Sequence, residues 1–117
     1  MAPLKLCILS SEIVPYAKTG GLADVAGALV QNLGAIGHTV RAFMPLYPVV
    51  RSNYPSLKAV RGVQRVALPI GDTDYSFSLL TANYPNSDVP MYFVDCPALF
   101  DRGGLYTTDP EIGRAHV

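Results

Sequence analysis

Leu4-Lys5-Leu6-Cys7-Ile8-Leu9 is a short, mostly apolar run closed by Ser10-Ser11. A run of this length with no strict alternation predicts a strand buried on both faces, as in a parallel sheet. A polar loop containing Pro15, Gly20 and Gly21 follows. From there Leu22, Val25, Ala26, Leu29, Leu33 and Ile36 recur at three- and four-residue spacing. That period predicts a helix over residues 22–36 with those six side chains as its apolar stripe. Gly37 is placed to end the helix in a left-handed conformation, with His38 beside its negative end. Thr39-Val40-Arg41-Ala42-Phe43-Met44 predicts a second strand, halted by Pro45. Strand, helix and strand in this order form a βαβ unit with a right-handed crossover, so the fold class is α/β with a parallel sheet.

The middle of the chain changes character. Residues 63–70 and 75–82 flank Gly71-Asp72-Thr73-Asp74, and Tyr75, Phe77 and Leu79 alternate. This predicts a β-hairpin inserted at the sheet edge. Pro69 must then lie at the hairpin's edge or end, because proline donates nothing to a ladder. Val89 to Val94 predicts a third core strand, and Pro97 to Tyr106 a loop or short helical turn.

Composition narrows the class. Half of the 117 residues are apolar, 15% are charged and the net charge is zero, which gives one compact domain with a real core. The nine basic residues form no cluster, so neither nucleic acid nor an anionic membrane surface is an expected partner. No apolar stretch is long enough to span a bilayer. Cys7 and Cys96 both fall in apolar stretches; they could form one disulfide, but buried free thiols in a reducing, cytoplasmic setting are the expectation. Two Cys and two His, far apart, give no zinc spacing, and no metal or cofactor is expected.

The chemistry concentrates in Ser11 to Val25, where the first strand enters the first helix. Ligands of open α/β sheets bind outside the carboxyl ends of strands, and a helix start offers unpaired N–H groups to phosphate. Gly20 and Gly21 allow close backbone approach, with positive φ where needed. Lys18 adds a full charge on a flexible stem. Such a charge-assisted bond contributes about 1.5–3 kcal/mol, against roughly 0.3–1 for the helix dipole, so the lysine dominates. Read from the residues alone, the segment fits either a phosphate site or a solvated lysine beside a glycine turn. It is neither a Walker loop nor the dinucleotide fingerprint, since Lys18-Thr19 precedes the glycines and the Gly-x-Gly-x-x-Gly spacing is absent.

Ser11-Glu12 followed by Lys18-Thr19-Gly20-Gly21-Leu22-Ala23-Asp24-Val25 closely resembles the N-terminal signature of bacterial glycogen synthases and plant starch synthases. Gly37-His38-Thr39-Val40-Arg41, Met44-Pro45-Leu46-Tyr47 and Val94 to Tyr106 are similar to later motifs of that family, in the same order. The resemblance implies a Rossmann-like, acceptor-side domain of a GT-B glycosyltransferase, with a mostly parallel sheet carrying the inserted hairpin. It implies transfer of glucose, with retention and without a metal, from ADP-glucose or UDP-glucose to the non-reducing end of an α-1,4-glucan. Lys18, Thr19, Gly20 and Gly21 would meet the sugar-nucleotide phosphates. Asp24 would hold the loop or meet the donor sugar, or else complement the helix dipole. Glu12 would contact an acceptor sugar or bond the loop backbone. Asp101, Arg102 and Tyr106 would line the acceptor groove, or form a surface loop held by an Asp–Arg pair.

Family members run far beyond this length. Residues 1–110 are therefore expected to be a truncated N-terminal domain, and residues 111–117 a non-native or divergent tail. The chain alone is expected to be inactive and to self-associate through an exposed sheet edge. The location expected is the cytoplasm, or a plastid for a plant protein. A non-catalytic glucan-binding or interaction module is the alternative.

Overall fold

In a computed structural model the described residues are 2–100. Their order is β1 (Lys5–Leu9), α1 (Gly21–Ala35), β2 (Thr39–Pro45), α2 (Pro48–Asn53), β3 (Lys58–Ala59), β4 (Val66–Ile70), β5 (Thr73–Asn83), β6 (Pro90–Asp95) and α3 (Pro97–Phe100). The sheet runs β1-β2-β6-β5-β3, with β4 joined to β5. β1, β2 and β6 are parallel neighbours, and β5 turns the sheet antiparallel beyond β6. No helix among the described residues is long and apolar enough to cross a membrane.

The expected hairpin is β4–β5, closed by Gly71-Asp72 between the paired residues Ile70 and Thr73. Gly71 takes φ 59°, the positive value required at the first position of a type II′ turn. Pro69 lies in β4, whose only strand neighbour among the described residues is β5, so its missing N–H leaves no bond unmade. Gly37 ends α1 with φ 101°, and its N–H donates to the Gly34 carbonyl. His38 stands at that helix end, where its Nδ1 accepts the Leu4 N–H at 3.0 Å.

Two expectations about burial are overturned. β1 is the outermost strand: Leu4, Cys7 and Leu9 are exposed, Leu9 to 74%, and only Leu6 and Ile8 pack against the core. Among the described residues no strand covers its outer edge, so an apolar run is here an edge strand. Cys96 is buried as expected, but Cys7 is not; both are free thiols. The helix stripe is also displaced. Ala26 is buried and Leu33 packs against the core as expected, but the rest of the buried face is Ala23, Gly27 and Val30, and Leu22, Val25, Leu29 and Ile36 are exposed. Small side chains win the inner face because the chain beneath comes close. A Cβ on Gly27 would stand 2.6 Å from Val14 Cγ1 and 3.2 Å from the Val14 carbonyl oxygen.

The core lies between α1 and one sheet face, built from Val40, Ala42, Met44, Met91 and Phe93 of the strands. An aromatic group completes it. The Tyr16 ring centroid is 4.8 Å from Tyr54, 5.0 Å from Phe93 and 6.1 Å from Tyr84. Burial, reinforced by Tyr54 and Tyr84, pushes the Tyr16 phenol up to about 12. Burial also raises Tyr84. An unfolded tyrosine ionises near about 10, so the fold favours the protonated phenol. The stability this confers is complete below about pH 10 and is lost as pH rises through about 12. Thermal unfolding should therefore show Tm falling across that window, and falling less in Tyr16→Phe. Parallel curves for the two proteins would contradict the assignment.

Candidate functional site

The loop from Ser10 to Gly20 leaves the carboxyl end of β1 and feeds the amino end of α1, the place where open α/β sheets take ligands. Its first part is anchored. Ile13, Tyr16 and Ala17 are buried, and the Tyr16 and Ala17 N–H groups both donate to the Ile13 carbonyl. Val14 N–H donates to the Ala23 carbonyl at 3.1 Å, tying the loop to the first turn of α1. Tyr84 Oη donates to the Val14 carbonyl at 2.5 Å, and Tyr47 Oη donates to the Ser11 carbonyl at 2.8 Å. The second part, Lys18 to Gly21, is exposed. A fixed foot thus presents a solvent-facing tip.

At the tip, Lys18 Nζ lies 2.7 Å from Asp24 Oδ2, and both side chains are half exposed. Asp24 stands in the first turn of α1, so the pair bridges the loop and the helix start. Glu12 is buried, 2% exposed, below the tip. Its Oε2 accepts the Thr19 N–H at 2.6 Å, and the Thr19 hydroxyl lies 2.9 Å from both carboxylate oxygens. Of the two roles expected for Glu12, the bond to the loop backbone is the contact present.

Gly20 and Gly21 make no use of the positive φ that glycine allows. Gly20 caps α1 in an extended conformation with φ −167°, and Gly21 is the first helical residue. Neither is among the positive-φ glycines, which are Gly37, Gly62 and Gly71. A Cβ added to either would meet no atom within 4 Å. No side chain caps α1, so its first N–H groups stay open to an acceptor from outside the chain. Nothing within the described fold requires glycine at these positions, which leaves a clear approach to the helix start.

A shallow cavity of about 330 Å³ adjoins the site at the carboxyl ends of the parallel strands, between Ser10, Phe43, Pro45, Val94 and Phe100. A larger groove, about 540 Å³, opens at the opposite ends of the strands between Gln31, His38 and the Pro85–Pro90 turn. It is remote from the loop, and size does not outweigh position at the carboxyl edge. The structure brings together Glu12, Lys18, Thr19, Gly20, Gly21 and Asp24. Asp101, Arg102 and Tyr106 lie outside the described residues. Arg51 was not anticipated: it pairs with Asp95 at 2.9 Å on the carboxyl edge of β6, and a separation of 44 positions along the chain hid that contact from any sequence pattern. Tyr47 was seen only within a motif, with no sign of its bond to Ser11.

Comparison with known proteins gives the family and the fold. The chain is 40% identical over 111 residues to glycogen synthase 1 of Geobacter metallireducens, covering 95% of this chain and 22% of that protein. It is 44% identical over 105 residues to the glycogen synthase of Syntrophotalea carbinolica, covering 90% and 21% respectively. Among solved structures it matches the catalytic domain of starch synthase IV from Arabidopsis thaliana, bound to ADP and acarbose. That match has a TM-score of 0.76 and 24% identity, over 92% of this chain and 22% of the other, which speaks for the fold. The chain therefore spans about a fifth of the length of these relatives. The family match to the starch synthase catalytic domain extends over residues 5–116, and the chain belongs to that family of glycosyltransferases.

Proposed function

We propose that this segment forms part of the acceptor-side half of an enzyme that transfers glucose from ADP-glucose to the non-reducing end of an α-1,4-glucan, with retention. The observation that carries the reading is the pair Gly20-Gly21 at an uncapped helix start, with open space above it and the Lys18 ammonium beside it. Breaking a glycosidic bond to a nucleotide leaves negative charge on the departing diphosphate. Cations and fixed N–H donors aimed at that charge lower the barrier. Lys18 supplies the cation, and the Gly20 and Gly21 amides supply the donors. The ADP in the Arabidopsis structure supports the choice of nucleotide. Its acarbose, together with the names of the glycogen synthase relatives, supports a glucan acceptor. UDP-glucose is the alternative donor.

The 117 residues alone hold one wall of such a cleft. The isolated chain should transfer no glucose from labelled ADP-glucose to glycogen, while an enzyme of family length carrying this segment should do so. Transfer by the isolated chain, or none by the longer enzyme, would overturn the reading. We place self-association of the isolated chain at the outer edge of β1, where exposed Leu4 and Leu9 flank an edge that no strand among the described residues covers.

A further inference from the structure

The least expected feature of the loop is the buried acid beneath it. Glu12 is the only charged side chain buried among the described residues, and it faces no cation there. Removing a carboxylate from water is costly unless strong donors replace the solvent. Both donors come from one residue, Thr19, through its N–H at 2.6 Å and its hydroxyl at 2.9 Å. The Glu12 backbone is itself held: Ser10 Oγ donates to its carbonyl at 2.7 Å, and its own N–H reaches the same oxygen at 3.4 Å. A rigid base therefore grips a single point on the exposed tip. That point lies between Lys18 and Gly20, so it governs where the lysine side chain departs and where the glycine amides aim.

We infer that Glu12 is a positioning residue for the loop: it touches no substrate and acts through Thr19 to hold Lys18, Gly20 and Gly21 in register with the diphosphate. The inference rests on the phosphate reading of this loop. A carboxylate suits the task because it accepts from both the amide and the hydroxyl without competing for either hydrogen. Glutamine keeps an oxygen for the Thr19 N–H and offers its NH₂ to the hydroxyl oxygen, so it preserves most of the tether. Alanine abolishes it.

The test uses an enzyme of family length carrying this segment, with ADP-glucose and glycogen varied separately. Glu12→Ala should lower kcat/KM for the sugar nucleotide by about 10²-fold, the scale of a misplacement near 1 Å, and leave the KM for glycogen unchanged. Glu12→Gln should recover most of that loss. Combined with Lys18→Ala, Glu12→Ala should cost less than it does alone, because one of the groups it positions is already gone. Thr19→Val, which keeps the N–H and removes the hydroxyl, should give an intermediate loss and serves if Glu12→Ala does not fold. A purely structural Glu12 would lower Tm but leave the kinetic constants of the folded enzyme intact, and that result overturns the inference. If Lys18→Ala is strongly impaired while folded Glu12→Ala and Thr19→Val are not, only the positioning role fails. If Lys18→Ala is itself unimpaired, the phosphate reading fails with it.

Discussion

Replacing Lys18 with alanine in an enzyme of family length that carries this segment should cut kcat/KM for the sugar nucleotide by about 10²–10³-fold, the usual cost of losing one preorganised donor at developing negative charge. Stability should hardly change. The Lys18–Asp24 pair is half exposed on both sides, and such pairs contribute about 0–1 kcal/mol. That weakness matters for function. A charge-assisted bond to phosphate contributes about 1.5–3 kcal/mol, so exchanging Asp24 for a diphosphate oxygen is downhill for the ammonium group. In Lys18→Ala the Asp24 carboxylate remains at the helix start with no cation to neutralise it, where it repels the incoming anion. Adding Asp24→Asn to Lys18→Ala should therefore restore part of the lost kcat/KM. Steady-state kinetics with nucleotide and glucan varied in turn check this directly, and unchanged constants for the nucleotide in Lys18→Ala would remove the lysine from the mechanism.

Gly27→Ala should destabilise the domain by about 2 kcal/mol, a fall in Tm of roughly 10 °C for a domain of this size. In an open helix the same change would gain about 1 kcal/mol from helix propensity. Here the new methyl would lie 2.6 Å from Val14 Cγ1 and 3.0 Å from Tyr84 Oη. Valine is stiff at χ1, and the Tyr84 hydroxyl is occupied by its bond to the Val14 carbonyl. Relief must come from shifting the loop, the helix or that hydrogen bond. Gly21→Ala provides the control, because its methyl meets no atom within 4 Å and should leave Tm unchanged or slightly raised. Differential scanning calorimetry on the two variants separates the cases. Equal Tm values would mean that α1 and the loop are not in the close contact described.

The contrast between these glycines shows what the sequence disclosed. The order of strands and helix, the hairpin around Gly71 and the stop at Gly37 were legible because each depends on local period or on a residue's own backbone limits. The inner face of α1 was not. Hydrophobicity favoured Leu22, Val25, Leu29 and Ile36, yet the face that packs is set by how near Val14 and Tyr84 approach, and Tyr84 is far along the chain. β1 misled for a related reason, since an apolar run specifies a strand but not how many neighbours it has. α2 is six residues and β3 two, too short for a period to register. At the site, Lys18 and the glycines were candidates from their types and spacing, and Asp24 and Glu12 from the family resemblance. What no spacing conveyed was the pairing, Lys18 with Asp24 and Glu12 with Thr19, because it depends on how the loop closes on itself and on the start of α1.

A crystal structure of the family-length enzyme with ADP bound is the most direct examination of the loop. The account predicts Lys18 Nζ released from Asp24 and within about 3 Å of a diphosphate oxygen, with the Gly20 and Gly21 N–H groups turned toward the same phosphates. Diphosphate bound elsewhere, with Lys18 still closed on Asp24, would contradict it.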